Sequence, residues 1–336
     1  MCIEVKSGGL LTTVQDLGRY GLRKYGVIVS GVMDEFAHRI ANILVGNEET
    51  AATLEITLVG PELFIKADTL ISICGADLSP SIDGSEVPMW RSIYVMAGSV
   101  LSFGKCKSGA RCYIAFAGSF DTREIMKSKS TYLRAGIGGY EGRALKKGDK
   151  LKLNVPKGIA LKMASHLVRE KTYKAFFASR WFVGEKIMPR YESNAEIRVT
   201  KGVQFQYFNA ASKKNFFKCT YSVSTQSDRM GYRLNGDKLS KEKNLEMLSE
   251  GVALGTIQVP SDGNPIILLA DRQTTGGYPK IGEVISVDIP IVAQLKPGDT
   301  IAFKETSLEE AQRLYILREM NFRTIINAIK MSLERL

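Results

Sequence analysis

Three stretches of this 336-residue chain gather charged and amide side chains at glycine-rich turns. The first, TTVQDLGRYGLRKYGVIVSGVMDEFAHRIANILVGN from Thr12 to Asn47, sets Arg19 and several acidic and amide side chains among glycines. The second, STQSDRMGYRL from Ser224 to Leu234, places Asp228, Arg229 and Arg233 around Gly231. In the third, Glu250 to Val284, a buried strand runs into Asp271, Arg272, Gln273, Thr274 and Thr275, then Gly276, Gly277 and Tyr278. A strand is a rigid element that can deliver charges to a loop, and glycines there let backbone N–H groups approach a ligand. Arg can grip carboxylate or phosphate with two parallel hydrogen bonds, and Asp can orient that Arg or act as a base. An isolated Asp271–Arg272 reads as a structural pair at a strand end; three such clusters in one chain bring a functional reading level with it.

Self-contained signatures are missing. In AGIGGYEGR the glycines fall at 136, 138, 139 and 142, one place late for a dinucleotide fingerprint and outside a βαβ unit. Gly104-Lys105 is followed by Cys106 and lacks the earlier glycine of a phosphate loop. The zinc-protease HExxH and the hydrolase GxSxG patterns do not occur. Five cysteines without CxxC spacing and two histidines argue against a disulfide framework or a zinc site. His38, one step off an apolar stripe, is expected at the surface, and Cys74 and Cys112, inside apolar strand patterns, as buried thiols.

The elements that must position these groups are mostly strands. Short apolar or β-branched runs punctuated by Gly, Pro, Asp and Asn recur along the chain, as at Leu70–Cys74, Arg111–Phe116, Ile197–Thr200 and Ile266–Leu269. Two helices interrupt them. Asp34 can cap one with Phe36, Ile40 and Leu44 on its apolar stripe and Gly46-Asn47 as its stop. Ser307 and Glu310 form a capping box for a terminal helix carrying Leu314, Met320, Ile325, Ile329 and Leu333.

A weak duplication runs through the strands. KKGDKLKL from Lys146 parallels KPGDTIAF from Lys296, SGARCYIAF from Ser108 parallels DGNPIILLA from Asp262, and GSVLSF from Gly98 parallels GTIQV from Gly255. GPELFI from Gly60 loosely parallels KGVQFQYF from Lys201. Similar order at similar spacing predicts two related β-rich halves. Length alone gives about two domains at about 150 residues each. We place them at 1–190 and 191–336, the second ending in the helix.

Hydrophobic residues at 44% and charged residues at 24% exclude a disordered, collagen-like or coiled-coil chain. The formal charge of +11 invites a nucleic-acid reading, but it is confined: residues 123–190 hold 17 Lys/Arg against 5 Asp/Glu, a net of +12, and the remainder sums to −1. Aromatic residues interleave with charge from Lys171 to Lys186, yet no nucleic-acid-binding motif accompanies them. This stretch is expected to flank an anionic ligand or an acidic partner face, or to be plain solvated surface. No apolar run reaches the roughly 18–20 residues of a membrane span, and Glu4 stands where a signal peptide would be basic or apolar. The chain therefore reads as cytoplasmic, with no membrane or nucleic-acid partner.

In these clusters the chain closely resembles the KipA family, also called the 5-oxoprolinase C subunit, related to allophanate hydrolase subunit 2 and to the carboxyltransferase region of urea carboxylase. The matching runs are TTVQDLGRYG, SGVMDEFAHRIANILVGN with LEITLVGP, STYLRAGIGG, QSDRMGYRL and EGVALGTIQVPSDGNPIILLADRQTTGGYPKIGEV. One departure is Arg198-Val-Thr-Lys-Gly202-Val203-Gln204, where such proteins often carry Gly-Pro-Gln. The resemblance implies a mainly β fold of two cyclophilin-like β-barrel domains with a few helices. It also implies a hetero-oligomer, formed with a KipI-like B subunit plus a LamB/YcsF-like A subunit, that opens 5-oxoproline to glutamate with ATP and Mg²⁺. Such a site must hold lactam and γ-phosphate in line and neutralise charge. By position in the matching motifs, Asp228, Arg229, Asp271 and Arg272 are the expected catalytic residues. Arg19, Asp34, Gln258, Gln273, Thr274, Thr275, Gly276, Gly277, Tyr278 and Lys280 are the expected substrate and nucleotide contacts; none is assigned as a metal ligand. Within these sets, Arg19, Arg229, Arg272 and Lys280 would meet phosphate or carboxylate. Asp34, Asp228 and Asp271 would handle metal or protons, and Gln258, Gln273, Thr275 and Tyr278 would hydrogen-bond the lactam. Two alternatives accompany this reading: antagonism of a KipI-like histidine-kinase inhibitor, and carboxyl transfer from a separate biotin carrier, since the chain has no biotinyl-lysine motif.

Overall fold

The computed structural model describes every residue except 169–174, 185, 243–246 and 335–336, with side chains described as far as Met331. Lys171 and Lys174 of the basic stretch and the Leu333 side chain lie outside the described residues. Two compact units emerge: one of Met1–Gly18, Asp34–Pro189 and Phe322–Leu336, the other of Arg19–Met33 and Arg190–Asn321. The fold is mainly β, as the punctuated apolar runs require.

In the first unit the strands make two six-stranded antiparallel sheets. One orders Lys150–Lys152, Cys2–Ser7, Glu62–Ile65, Val100–Phe103, Pro80–Ile82 and Ser85–Glu86; the other orders Phe176–Ala178, Ile93–Val95, Thr69–Asp77, Ser108–Phe116, Thr53–Thr57 and Leu11–Gln15. Because side chains alternate across a strand, Leu54 and Ile56 enter a core shared with Ile3, Val5, Leu63 and Leu101 of the other sheet. Thr53 and Glu55 are thereby turned to the opposite face of their strand.

The helix Glu35–Leu44 packs against the Thr69–Asp77, Ser108–Phe116 and Thr53–Thr57 strands. Asp34 caps it: the carboxylate accepts the Ala37 N–H at 3.0 Å. At the far end Gly46 takes φ 73°, and the Asn47 side chain donates to the Phe116 carbonyl at 2.8 Å. His38, expected at the surface, is instead fully buried. The reason is that this helix is covered on more than one side. Phe36 packs against Trp90 and Phe322, while Ala41 accepts from the Ser72 hydroxyl of the sheet and His38 Nδ1 meets Thr53 Oγ1 at 2.9 Å. A residue one step off the apolar stripe is therefore still inside. Cys74 and Cys112 are buried, as their strand patterns imply.

The second unit contains a closed seven-stranded barrel ordered Asn194–Lys201, Lys280–Val284, Thr256–Gln258, Ile266–Leu268, Gly231–Asn235, Thr220–Val223 and Thr300–Glu305. Parallel pairing of Asn194–Lys201 with Thr300–Glu305 closes it. Ile197, Val199, Ile257, Ile267, Ile281 and Phe303 fill the interior, with Phe216 stacked on Phe303 at 4.7 Å between ring centroids.

The two units repeat the same turns. Gly148 and Gly298 both have φ 92°, and Asp149 and Asp299 accept the backbone N–H of Lys146 and Lys296 at 2.9 and 3.0 Å. Gly98 and Gly255, at φ 90° and 88°, and Gly109 and Gly263, at 71° and 80°, match likewise. Only glycine takes such angles without strain, which is why these residues carry the parallel. The fourth pair does not hold: Glu62–Ile65 is a strand, whereas Phe205–Tyr207 is a 3₁₀ turn.

The terminal helix Leu308–Glu334 begins where expected, with the Glu310 N–H donating to Ser307 Oγ at 3.1 Å. The Glu310 carboxylate pairs with Arg313. Met320, assigned to the apolar stripe, is exposed, while Ile325 and Ile329 are buried. Among the described residues no helix is long and apolar enough to cross a membrane. Arg123, Arg134, Lys146, Lys147, Arg180 and Arg190 of the basic stretch are exposed.

Burial lowers the His38 imidazole from 6.5 to about 4, the Asp16 charge opposing that shift and the Arg39 charge adding to it. Between those pH values the unfolded chain holds the extra proton, so stability falls as pH drops from 6.5 towards 4. Denaturant melts across this window should show a loss on the order of 3 kcal/mol that His38→Gln abolishes.

Candidate active site

The second unit brings together the loop Arg19–Met33, the turn before Gly231 and the end of the Ile266–Leu268 strand. Leaving that strand, Leu269 donates to the Met230 carbonyl and Asp271 N–H to the Arg229 carbonyl, so the two backbones run alongside each other. This places two side chains face to face. Arg229 Nε donates to Asp271 Oδ2 at 3.0 Å and Nη2 to Oδ1 at 3.2 Å. Ser30 Oγ donates to Asp271 Oδ1 at 2.7 Å, and Arg229 Nη2 also donates to the Gly31 carbonyl. Ser30 takes a left-handed φ of 56° and Gly31 one of 89°, so the loop turns sharply there. All four partners are buried or nearly so. Asp271 thus pairs with Arg229 and not with its neighbour Arg272. The structural Asp271–Arg272 pair, one of the two readings of this dipeptide, does not form because the backbone register already holds Arg229 opposite Asp271.

Arg272 is left differently placed. Its Nη1 donates to the Leu269 carbonyl at 3.2 Å, and its buried Nε has no hydrogen-bond partner. Burial, and after it the nearby Arg23 charge, lower the guanidinium to about 10. Arg23 itself donates to the carbonyls of Val252 and Thr274. Those carbonyls flank a two-stranded ribbon in which Glu250 and Gly251 pair with Gly276 and Thr275. The ribbon ties the ADRQTTGGYP loop to the Glu250–Gly251 segment.

Lys280 is enclosed by partners. Its Nζ donates to Glu250 Oε2 at 3.1 Å and to the Gly251 carbonyl at 2.8 Å, and its backbone N–H donates to Gln204 Oε1 at 3.1 Å. The Lys280 ammonium and the Gln204 amide hold the Glu250 carboxyl below its ordinary value. Gln204 arrives from the unusual RVTKGVQ turn, where a Cβ on Gly202 would sit 2.3 Å from the Lys280 carbonyl oxygen. Gln258, buried, donates to the Tyr278 carbonyl at 3.2 Å, and a Cβ on Gly276 would come within 2.6 Å of Gln258 Nε2. Gly276 therefore permits the amide to seat. Gln273 and Thr274 are half-buried, and Thr275, Gly277 and Tyr278 are exposed along the ribbon.

Other expected site residues make local structural contacts. Asp228 is exposed and its carboxylate accepts the N–H groups of Met230 and Gly231 at 2.8 and 3.3 Å, which shapes the turn. Asp34 belongs to the first unit, where its carboxylate caps the helix and its N–H donates to Tyr113 Oη at 2.8 Å. Arg19 is fully buried, and its backbone N–H donates to the Val29 carbonyl at 2.7 Å. Among the described residues no group of three or more His, Cys, Asp or Glu is arranged to hold a metal ion. Sequence reasoning passed over Ser30, Arg23, Gln204 and Glu250, although all lie in or beside the quoted motifs.

Truncating one partner of a buried ion pair strands the other charge. Arg229→Ala should cost about 3–5 kcal/mol in urea unfolding, whereas Arg229→Met with Asp271→Leu should recover much of that loss.

Comparison with known proteins matches this architecture. The model of the carboxyltransferase domain, subdomains A and B, matches residues 25–305. The chain is 37% identical over 312 residues to the 5-oxoprolinase C subunit of Haemophilus influenzae, covering 93% of each chain. It is likewise 37% identical to the Escherichia coli protein of that name, covering 92% of this chain and 93% of that one. The crystal structure of Kluyveromyces lactis urea amidolyase superposes with a TM-score of 0.86 at 31% identity, over 98% of this chain and 20% of that one. This chain thus spans about a fifth of that larger enzyme. With near full-length identity to the first two and the family model across most of its length, the chain belongs to the carboxyltransferase-domain family and, within it, to the family of the 5-oxoprolinase C subunit.

Proposed function

We propose that this chain acts in the cytoplasm as the C subunit of an ATP-dependent 5-oxoprolinase. It works with a KipI-like B subunit plus a LamB/YcsF-like A subunit, and is inactive alone. The reaction converts 5-oxo-L-proline, ATP and water to L-glutamate, ADP and phosphate. The B and C subunits phosphorylate the lactam oxygen, and their LamB/YcsF-like partner completes ring opening.

One observation carries the reading at the level of the site: Arg272, nine-tenths buried, keeps an Nε–H without a protein partner in the loop that most resembles the family. A buried donor left unmade is costly unless a ligand takes it up. A lactam oxygen is a weak nucleophile, so reaction depends on fixing substrate and phosphate and on neutralising the developing charge. Arg272 is suited to that task because its guanidinium sits in a partly dry place where each interaction is stronger. Lys280, held by Glu250 and Gly251, is an oriented cation that follows the same loop. Arg229 and Asp271 act by holding the loop in shape. ATP fits the surplus of positive donors, and Mg²⁺ would enter with the nucleotide's phosphates.

The likeness to urea amidolyase keeps carboxyl transfer as the competing chemistry. Reconstitution with the KipI-like and LamB/YcsF-like partners decides. ADP release should depend on 5-oxoproline, and Arg272→Ala should lower it by about 10²–10³-fold, the scale of losing one charge-stabilising donor. A complex that assembles but releases no ADP would favour a KipI-antagonist role. Turnover that instead requires a biotin carrier would favour carboxyl transfer.

A further inference from the structure

Several buried or half-buried cations in the second unit have an anion. Arg229 has Asp271, Lys280 has Glu250, and Arg198 has Asp288, which it meets through two side-chain nitrogens and its backbone N–H. Arg23 and Arg272 do not. Among the described residues their only hydrogen bonds go to neutral carbonyls, of Val252 and Thr274 for Arg23 and of Leu269 for Arg272, and neither forms an ion pair. The two charges are nonetheless close enough to repel each other. Asp271 is taken up by Arg229, and Glu283, whose charge acts on Arg272 without an ion pair, is itself bonded to Thr256, with burial pushing its carboxyl up.

Two neighbouring guanidiniums without a counter-ion, one of them buried with a free N–H, form the complement of a planar or tetrahedral oxyanion. We infer that Arg23 and Arg272 together form an oxyanion subsite, with Arg23 closing over the anion while its carbonyl contacts tie the 250–276 ribbon beneath. This rests on the proposed function in one respect, the choice of anions: the carboxylate of 5-oxoproline and a phosphate of the nucleotide share this chemistry.

Binding to the full-length chain, measured by calorimetry at low ionic strength, tests it without requiring turnover. The probes are 5-oxoproline, 2-pyrrolidinone as the same lactam without a carboxylate, inorganic phosphate and ADP. Binding of 5-oxoproline but not 2-pyrrolidinone assigns the subsite to the carboxylate; binding of phosphate and ADP alone assigns it to the nucleotide. In either case Arg23→Gln and Arg272→Gln should each weaken binding by about tenfold or more, the charge-keeping Arg23→Lys by less, and Arg233→Gln on an exposed strand position not at all. The Arg23→Lys arm keeps the test valid if a charge-removing variant fails to fold. No binding of any oxyanion by the wild-type chain, or unchanged binding in both Gln variants, overturns the inference. Anion binding without 5-oxoproline-dependent ADP release in the complex would retain the subsite and refute only the 5-oxoprolinase reading.

Discussion

The paired side chains of Arg229 and Asp271 are the constraint on which the candidate site depends. Each is buried, and both make bonds to the same loop: Arg229 to the carbonyl of Gly31, Asp271 to the hydroxyl of Ser30. Removing two charges from water is expensive, and this arrangement offsets the cost by meeting the carboxylate with three donors. The benefit is definition of shape. Three segments far apart in sequence are forced into one register, and Arg272, next along the chain, is carried to a position it would not choose on solvation grounds.

Around that pair the site separates charges that are answered from charges that are not. Lys280 is answered by Glu250, itself braced by Gln204, and this depends on Gly202 and Gly276, where backbone and amide approach too closely for a Cβ. Glycine here gives proximity more than flexibility. The ribbon of Glu250–Gly251 with Thr275–Gly276 converts what would be a long open loop into a braced one, and Arg23 secures its edge.

Much of this was legible in the amino-acid order, and the remainder fails for identifiable reasons. Alternating apolar runs and glycine punctuation are local signals, so strands, the Asp34 cap and the repeated Lys-x-Gly-Asp turns could be read directly. The density of polar residues located the loop that carries Asp271 and Arg272. What could not be read was partnership. Asp271 lies beside Arg272 in sequence yet bonds to Arg229, because strand register decides opposition and register is a long-range property. Asp228 carries the same motif signal as Asp271 but serves a turn. Arg23 binds carbonyls, which every residue has, so no pattern announces it. His38 was misplaced because a helix covered on several sides keeps only a narrow surface strip, at Glu35 and Arg39.

The barrel of the second unit closes by pairing its first strand, Asn194–Lys201, in parallel with its last, Thr300–Glu305. A growing chain therefore cannot complete this cylinder until residues 300–305 have emerged from the ribosome, and the Arg19–Met33 segment, made much earlier, has to wait for them. Until then its arginines and apolar residues are without their eventual neighbours, which makes that interval the one in which this unit most needs shielding from premature association.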